Sequence, residues 1–252
     1  MGWRRTYDGP EPQRVNKWLA QAGVCSRREA EELIAQGRVR IDGTLVSDPG
    51  RKIAPGETLE LADDAPLEAK LTCVLHKPVG FVSAQPEPGQ TPAARLLVRA
   101  NLQGPPAPVP GSKARLAPLG RLDQDSRGLL LLSEDGVLAK AVIGPESRLD
   151  KEYLVAVRGE TTEPKLRLLR HGLSLDGRQL KPAKIAREAD GRLRFTLREG
   201  RNRQIRRMCQ AVGLEVVDLL RVRIGPLRLG DLPEGRWRAL TPGERAAILT
   251  AA

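Results

Sequence analysis

Four consecutive leucines, Leu129 to Leu132, lie in a stretch that reads LGRLDQDSRGLLLLSEDG from Leu119 to Gly136. An apolar run of this length, bounded by turn residues, is a strand buried on both faces or the start of a buried helix. The polar loop just ahead of it carries Arg121, Asp123, Asp125, Ser126 and Arg127. Its charges are therefore anchored to something rigid and interior. Leu122 should point inward and draw Arg121 and Asp123 toward the core. An acid between two arginines at the lip of a core costs stability unless it is paired or used. The expectation is that Asp123 is used, while Asp125 and Ser126 are turn formers that shape the loop.

The 252 residues are 40% hydrophobic, enough for one large domain or for a small and a medium one. No apolar run is long enough to span a bilayer. The start, MGWRRTYDGPEPQ, has an arginine pair with no apolar stretch behind it, so a disordered tail over residues 1–12 is expected rather than an export signal. Cys25, Cys73 and Cys209 are odd in number and form no CxxC, which argues against a disulfide frame or a zinc site and fits a reducing, cytoplasmic setting. With only His76 and His171 available, no metal is expected. The net charge is +11, for which nucleic acid is the obvious partner and an acidic protein or membrane surface the alternative. Residues 1–69 net −2 and residues 70–252 net +13, so the excess lies with the part that holds Asp123. Aromatics at 3% argue against broad stacking platforms.

In RVNKWLAQA, residues 14–22, Val15, Trp18, Leu19 and Ala22 fall on one helix face, with Gly23 as the stop. Ser26 and Glu29 form a capping box that opens a second helix through Gln36, with Ala30, Leu33 and Ile34 inward. Val39, Ile41, Leu45 and Val46 around Asp42-Gly43 read as a hairpin. Arg14, Lys17, Arg27, Arg28 and Arg38 fall near the helix ends and the first strand. The R-x-N-K-x-L start, the S-R-R-E-A turn and the G-x-V-x-I-D-G hairpin resemble the S4 RNA-binding module over residues 13–62. That resemblance implies contact with structured RNA through phosphates and shape, carried by those five basic residues.

Residues 63–69, DDAPLEA, read as a linker, and 70–252 as one further domain. Thr72 to Leu75 is a strand, followed by a Lys77-Pro78-x-Gly80 turn. Eight prolines fall in residues 85–118, and 101–115 reads as an exposed, Pro-stiffened excursion. Its Gly111-Ser112-Lys113 lacks the spacing and the leading strand of a phosphate loop. The Asp123 loop has EF-hand spacing through Glu134, but Arg127 stands where a calcium ligand belongs and four leucines occupy the middle. Beyond it lie a helix with Val137, Leu138 and Val142 inward, a strand over 151–157 containing Tyr153, a helix over 164–171 and a hairpin through Asp190-Gly191. Taken alone, Tyr153 is an ordinary half-buried strand aromatic.

REGRNRQIRRMCQAVG, residues 198–213, is the second strong stretch and reads as an amphipathic helix. Ile205, Met208, Cys209 and Val212 face inward, and Arg203, Arg206, Arg207 and Gln210 outward, with Asn202 as N-cap and Gly213 as stop. Arg201, Arg203, Arg206 and Arg207 have no acid among them and repel one another unless anionic partners arrive, which a phosphate backbone and one internal carboxylate would supply. Strands over 216–223 and 237–240 complete the pattern.

The order S4-like module, G-R-L-D-x-D-S-x-G-L-L-L-L, K-E-Y-L-V and G-R-N-R-Q-I-R-R-M resembles the RsuA family of ribosomal-RNA pseudouridine synthases over residues 13–245. Within it the RluF type, which acts on 23S rRNA near the peptidyl transferase centre, is most similar, with the RluB type next. The resemblance implies an α+β fold: the small S4-like module, then a mostly antiparallel, bent mixed sheet with flanking helices and a cleft across it. It implies uridine-to-pseudouridine isomerisation in a structured stem-loop of ribosomal RNA, most consistently 23S, by a monomer without metal, cofactor or membrane. Asp123 would be the catalytic carboxylate and Tyr153 would stack on the flipped base. Arg206 would pair with Asp123, Arg121 would fill the space the base vacates, and Ile205 would pack against the base. Arg203 and Arg207 would bind the RNA backbone. The rival readings are a small-subunit target, a non-catalytic RNA-binding or ribosome-assembly protein, and a hydrolase pairing Asp123 with Asp125. The last is disfavoured because the two side chains should diverge in an extended loop.

Overall fold

The computed structural model describes residues 3–62, 70–83, 86–111 and 114–252. It separates into two compact units, residues 1–70 with 135–137 and residues 71–134 with 138–252. The expected linker, 63–69, lies outside the described residues, as do Ser112 and Lys113 of the proline-rich segment.

In the first unit, helix α1 (Val15–Gln21) buries Val15, Trp18 and Leu19. Helix α2 (Arg27–Ala35) opens with both hydrogen bonds of the Ser26–Glu29 capping box and buries Ala30, Leu33 and Ile34. Asn16, itself buried, donates to Glu31 and ties the two helices together. Strands Val39–Ile41 and Thr44–Leu45 turn through Asp42 and Gly43, both at positive φ, as the hairpin reading requires. The disordered tail expected over residues 1–12 is a misreading from Trp3 onward. Arg4–Thr6 pairs antiparallel with Thr58–Glu60. Tyr7 is 5% exposed and donates its hydroxyl to the Glu11 carbonyl. Trp3 and Tyr7 pack edge-on against Trp18, with ring centroids 5.6 and 5.3 Å away. Aromatic burial orders a segment whose charges alone read as tail.

The second unit is built on a mixed sheet in the order Lys184–Arg187, Leu193–Leu197, Lys151–Arg158, Glu215–Ile224, Arg127–Ser133, Thr72–Lys77, Trp237–Ala239. All these neighbours are antiparallel except Arg127–Ser133 beside Glu215–Ile224. The leucine run is thus a central strand. Leu129 and Leu131 enter one core cluster with helix α3 (Gly136–Ile143); Leu130 and Leu132 enter another around Trp237. The parallel join is short, Arg127 to Leu220 and Gly128 to Arg221. Gly128 has φ +114°, and a Cβ there would stand 2.3 Å from the Arg221 carbonyl oxygen, so only glycine lets the two strands meet.

Helices α4 (Glu163–Arg170) and α5 (Gln204–Ala211) cover a third cluster centred on Phe195, and α6 (Pro242–Ala251) buries Ile248. The excursion expected over 101–115 is exposed at 103–106, 108, 111 and 115, as read, but is anchored between those points. Leu102 bridges to Trp237, Ala107 is buried and Val109 packs into the same cluster. Leu102 and Val109 pack into the cluster of Trp237, which is fully buried and donates its indole N–H to the Val98 carbonyl. Cys25, Cys73 and Cys209 are free and buried, and burial pushes each thiol up to about 12, which leaves them unreactive. No helix among the described residues is long and apolar enough to cross a membrane.

Candidate active site

The polar loop is held from beneath by an arginine. Leu219 and Arg221 share one face of their strand, and Arg221 is 1% exposed. Its guanidinium donates to three carbonyls: Leu129 at 2.7 Å, Gly120 at 3.1 Å and Arg121 at 3.3 Å. One side chain therefore ties the leucine strand to the start of the loop. On the other side, buried Ser83 donates to the Leu122 carbonyl (2.7 Å) and accepts from its N–H (2.8 Å). Ser126 N–H closes the turn on the Asp123 carbonyl at 3.1 Å. Leu122 points inward, 5% exposed, and leaves Asp123 half-buried at the lip.

Helix α5 faces this loop. Its N-cap is Arg203 rather than the expected Asn202. Arg203 adopts the left-handed conformation, φ +49°, and its guanidinium makes a two-point contact with Asp125 at 2.8 and 3.2 Å. The same guanidinium lies 3.6 Å from Asp123, beyond hydrogen-bond reach. The expected Arg206–Asp123 pair is not formed. Arg206 donates to the Asp125 carbonyl (2.6 Å) and the Val216 carbonyl (3.2 Å). Its buried Nε stands 3.3 Å from an Asp125 carboxylate oxygen without making a hydrogen bond. The tight turn from Asp123 to Ser126 swings Asp125 out to the first turn of α5, where residues three apart both reach it. Asp125 is thus the turn residue the sequence suggests and also a hub for two arginines. Both carboxylates lie near the Arg203 guanidinium, Asp123 at 3.6 Å and Asp125 at 2.8 Å. The other two arginines find acceptors elsewhere in the fold: Arg207 on Asp176 (2.6 and 2.9 Å), Arg201 on the carbonyls of Leu175, Arg178 and Gln179. One internal carboxylate was too few.

Two lysines complete the electrostatics. Lys77 ends its strand with no exposed surface and donates to the carbonyls of Pro78 and Phe81. Burial pushes its ammonium down to about 8, against the opposing charges of Asp123, Asp125 and Glu234. Lys151 is likewise lowered, by burial and by the charge of Arg221, with Asp150 opposing. At Asp125, burial pushes the carboxyl up, but hydrogen bonds from Arg203 and the charges of Arg206 and Arg203 outweigh it and hold it below the ordinary carboxylate range.

Between the loop and α5 opens a cleft of about 430 Å³. Asp123, Tyr153, Arg206, Arg121, Ile205 and Arg203 all line it. Alternation along Lys151–Arg158 puts Lys151 and Tyr153 on the cleft side and turns Glu152 to the opposite face, where it accepts from Arg194 and Arg223. A bulge follows: Tyr153 pairs with Arg221 while Glu152 pairs with Arg223, leaving Val222 unmatched. Bulges of this kind re-aim side chains beside active sites. Ile205 is 4% exposed and serves the core as well as the cleft floor. Arg207 does not line the cleft.

The family model for RNA pseudouridylate synthase matches residues 72–211, which hold both the Asp123 loop and helix α5, and the S4 domain matches residues 13–59. The chain belongs to the RNA pseudouridine synthases. An RNA pseudouridine synthase of Aquifex aeolicus is 35% identical over 244 residues, with 94% of each chain covered. Ribosomal large subunit pseudouridine synthase B of Bacillus subtilis is 36% identical, covering 92% of this chain and 93% of its own. The dual-specificity RNA pseudouridine synthase RluF of Escherichia coli K12 is 37% identical, covering 92% and 76%. These identities do not separate the B type from the F type. A solved pseudouridylate synthase is 27% identical over 93% of this chain and 99% of its own, with a TM-score of 0.63.

The synthase is therefore an isomerase that acts on RNA, and the α+β reading with an S4 domain holds. Arg14, Lys17, Arg27 and Arg28 are exposed on the S4 unit and Arg38 is half-buried. Reading the sequence missed Arg221, Lys77 and the role of Asp125. Arg221 had a signal, since it shares strand parity with Leu219 and so had to face inward. Lys77 had a weaker one, as the continuation of a buried strand to the residue before a proline. Nothing local marked Asp125, whose partners lie about eighty residues along the chain.

Proposed function

We propose that this synthase converts a specific uridine to pseudouridine in ribosomal RNA. The most consistent target is 23S RNA near the peptidyl transferase centre, in the manner of the F-type or B-type enzymes it resembles. Residues 13–62 serve as the RNA-binding module and 70–252 as the catalytic domain, in a cytoplasmic monomer. The reaction conserves every atom. The bond from ribose C1′ to N1 breaks, a bond from C1′ to C5 forms, and the C5 proton is lost while N1 gains one. Asp123 acts at the ribose, as nucleophile at C1′ or as base at C2′. Tyr153 stacks on the extruded base and helps to handle its proton. Ile205 packs against that base, and Arg121 enters the space left in the RNA. Arg206 acts on the Asp123 loop through Asp125.

The observation that carries this reading is the half-buried Asp123 carboxylate, which shares a cleft with Tyr153 and receives no hydrogen bond among the described residues. A cleft of about 430 Å³ suits an extruded nucleotide, since small-ligand sites run to roughly 300–1,000 Å³. On the S4 unit, Arg27 and Arg28 are exposed in the first turn of α2, beside the capping Glu29. The test is tritium release from ribosomal RNA carrying uridine tritiated at C5. The wild-type chain should release tritium stoichiometrically, and Asp123→Asn should release none above background. An Asp123→Asn protein that still releases tritium sinks the assignment. Mapping pseudouridines in ribosomal RNA with and without the protein identifies the target.

A further inference from the structure

We propose that Ile143 and Lys151 form a subsite for the nucleotide next to the target uridine in the RNA strand, Ile143 packing against its base and Lys151 meeting the phosphodiester beside it. The inference rests on the reading of the cleft as the place where one uridine is extruded.

Helix α3 buries Leu138 and Val142, and its last residue, Ile143, falls off that face and is 49% exposed. Single exposed apolar side chains are ordinary on a protein surface. Ile143 differs in where it stands. Of the six large apolar side chains strongly exposed among the described residues, it is the one that lines the cleft. Its place is also fixed. Gly120 has φ +89°, and a Cβ there would lie 3.5 Å from Ile143 Cγ2, 3.8 Å from Arg221 Nη1 and 4.0 Å from Lys151 Cε. Three side chains from three elements therefore converge on the residue just before Arg121. Arg121 enters the space that the extruded base leaves, and the bases bordering that space are the target's neighbours in the strand. An apolar surface held beside Arg121 is placed to receive one of them. Lys151 supplies the charge. Among the described residues its ammonium makes one hydrogen bond, a long one of 3.4 Å to the Val142 carbonyl, and no ion pair. The arginines around it are already engaged, Arg221 on three carbonyls and Arg203 on Asp125. Lys151 thus keeps donors for an anion, and burial beside the charge of Arg221 favours the arrival of one. It precedes Tyr153 by two residues on the same strand face, about 6.6 Å along the strand. The phosphodiester it meets therefore lies next to the nucleotide whose base stacks on Tyr153.

The experiment measures binding of the full chain, on filters, to a ribosomal RNA fragment spanning the mapped target uridine. Two further fragments lack the base of the nucleotide on its 5′ side or on its 3′ side. The wild-type chain should bind one of these two abasic RNAs roughly three- to tenfold more weakly than the intact RNA, the effect expected from covering a half-exposed isoleucine. This first comparison needs no variant, so it holds whatever a substitution does to folding. Ile143→Ala should weaken binding to the intact RNA by a similar factor and should no longer distinguish it from that abasic RNA, the coupling expected of groups in direct contact. A general loosening of the cleft would instead weaken both RNAs alike. Lys151→Met should lower the slope of log affinity against log salt by about one unit. The inference is overturned if the wild type binds both abasic RNAs as tightly as the intact one. It is equally overturned if Ile143→Ala loses the same factor on intact and abasic RNA, or if Lys151→Met leaves the salt slope unchanged. A wild-type chain that forms no pseudouridine in ribosomal RNA overturns the functional reading and this inference together. A chain that forms it, with Ile143→Ala binding every RNA as the wild type does, overturns this inference alone.

Discussion

Arg221→Met removes the peg under the Asp123 loop without changing the side chain's length much. Three carbonyls lose their donor: Leu129 in the central strand, and Gly120 and Arg121 at the start of the loop. Hydrogen bonds from a charged donor contribute roughly 1.5–3 kcal/mol each. The sum overstates the loss, because taking a charge out of the interior relieves its desolvation. A net cost of about 3–5 kcal/mol remains, most of it from the Leu129 carbonyl, which has no route to water. For a unit of this size that lowers Tm by roughly 6–20 °C. The check is thermal melting and urea titration of the variant, read at the transition of the larger unit. The saturating isomerisation rate should fall as well, since residues 120–126 lose a tether on the side facing the cleft. Arg221→Lys keeps the charge but cannot span all three acceptors, so it should fall between wild type and Arg221→Met. A Tm within about 2 °C of wild type would refute the reasoning, and so would Arg221→Lys matching wild type.

Three further outcomes are expected. The folded Lys77 ammonium sits at about 8 against a free value of 10.5, so the unfolded chain holds the extra proton between those values. Stability should therefore rise as pH climbs through that window, by at most about 3 kcal/mol. Urea titrations at pH 8 and 10 should show the rise in wild type and its loss in Lys77→Met. Gly128→Ala would place a methyl 2.3 Å from the Arg221 carbonyl oxygen at positive φ, so it should destabilise by more than about 2 kcal/mol or fail to fold; a near-neutral melt would mean that the strand join adjusts. If Arg207 meets a phosphate, Arg207→Ala should flatten the dependence of log affinity on log salt by about one unit. Asp176→Asn, by removing the acid that Arg207 now contacts, should tighten RNA binding. Filter binding at several salt concentrations measures both.

Wherever a local pattern carried the information, the sequence was readable. The capping box at Ser26, the hairpin at Asp42-Gly43, the inward face of α5 and the buried leucine strand follow from periodicity and turn chemistry within a few residues. The cleft residues Asp123, Tyr153, Arg206, Arg121, Ile205 and Arg203 were named through family resemblance, and one cleft holds them all. The tail was misread, and the anchoring of the proline-rich segment missed, because their ordering comes from Trp18 and Trp237, partners that no local pattern reveals.

By itself, then, the sequence determined the elements, the charge bias toward the larger unit and the residues able to do chemistry. Which of those charges meet was decided only by the tertiary structure. Side-chain periodicity says which face a residue occupies, but an ion pair depends on positions to within an ångström or so, set here by a tight turn, a strand bulge and a glycine join. That is why Arg206 rests on Asp125 rather than Asp123, and why Arg221 braces the loop instead of pairing with an acid.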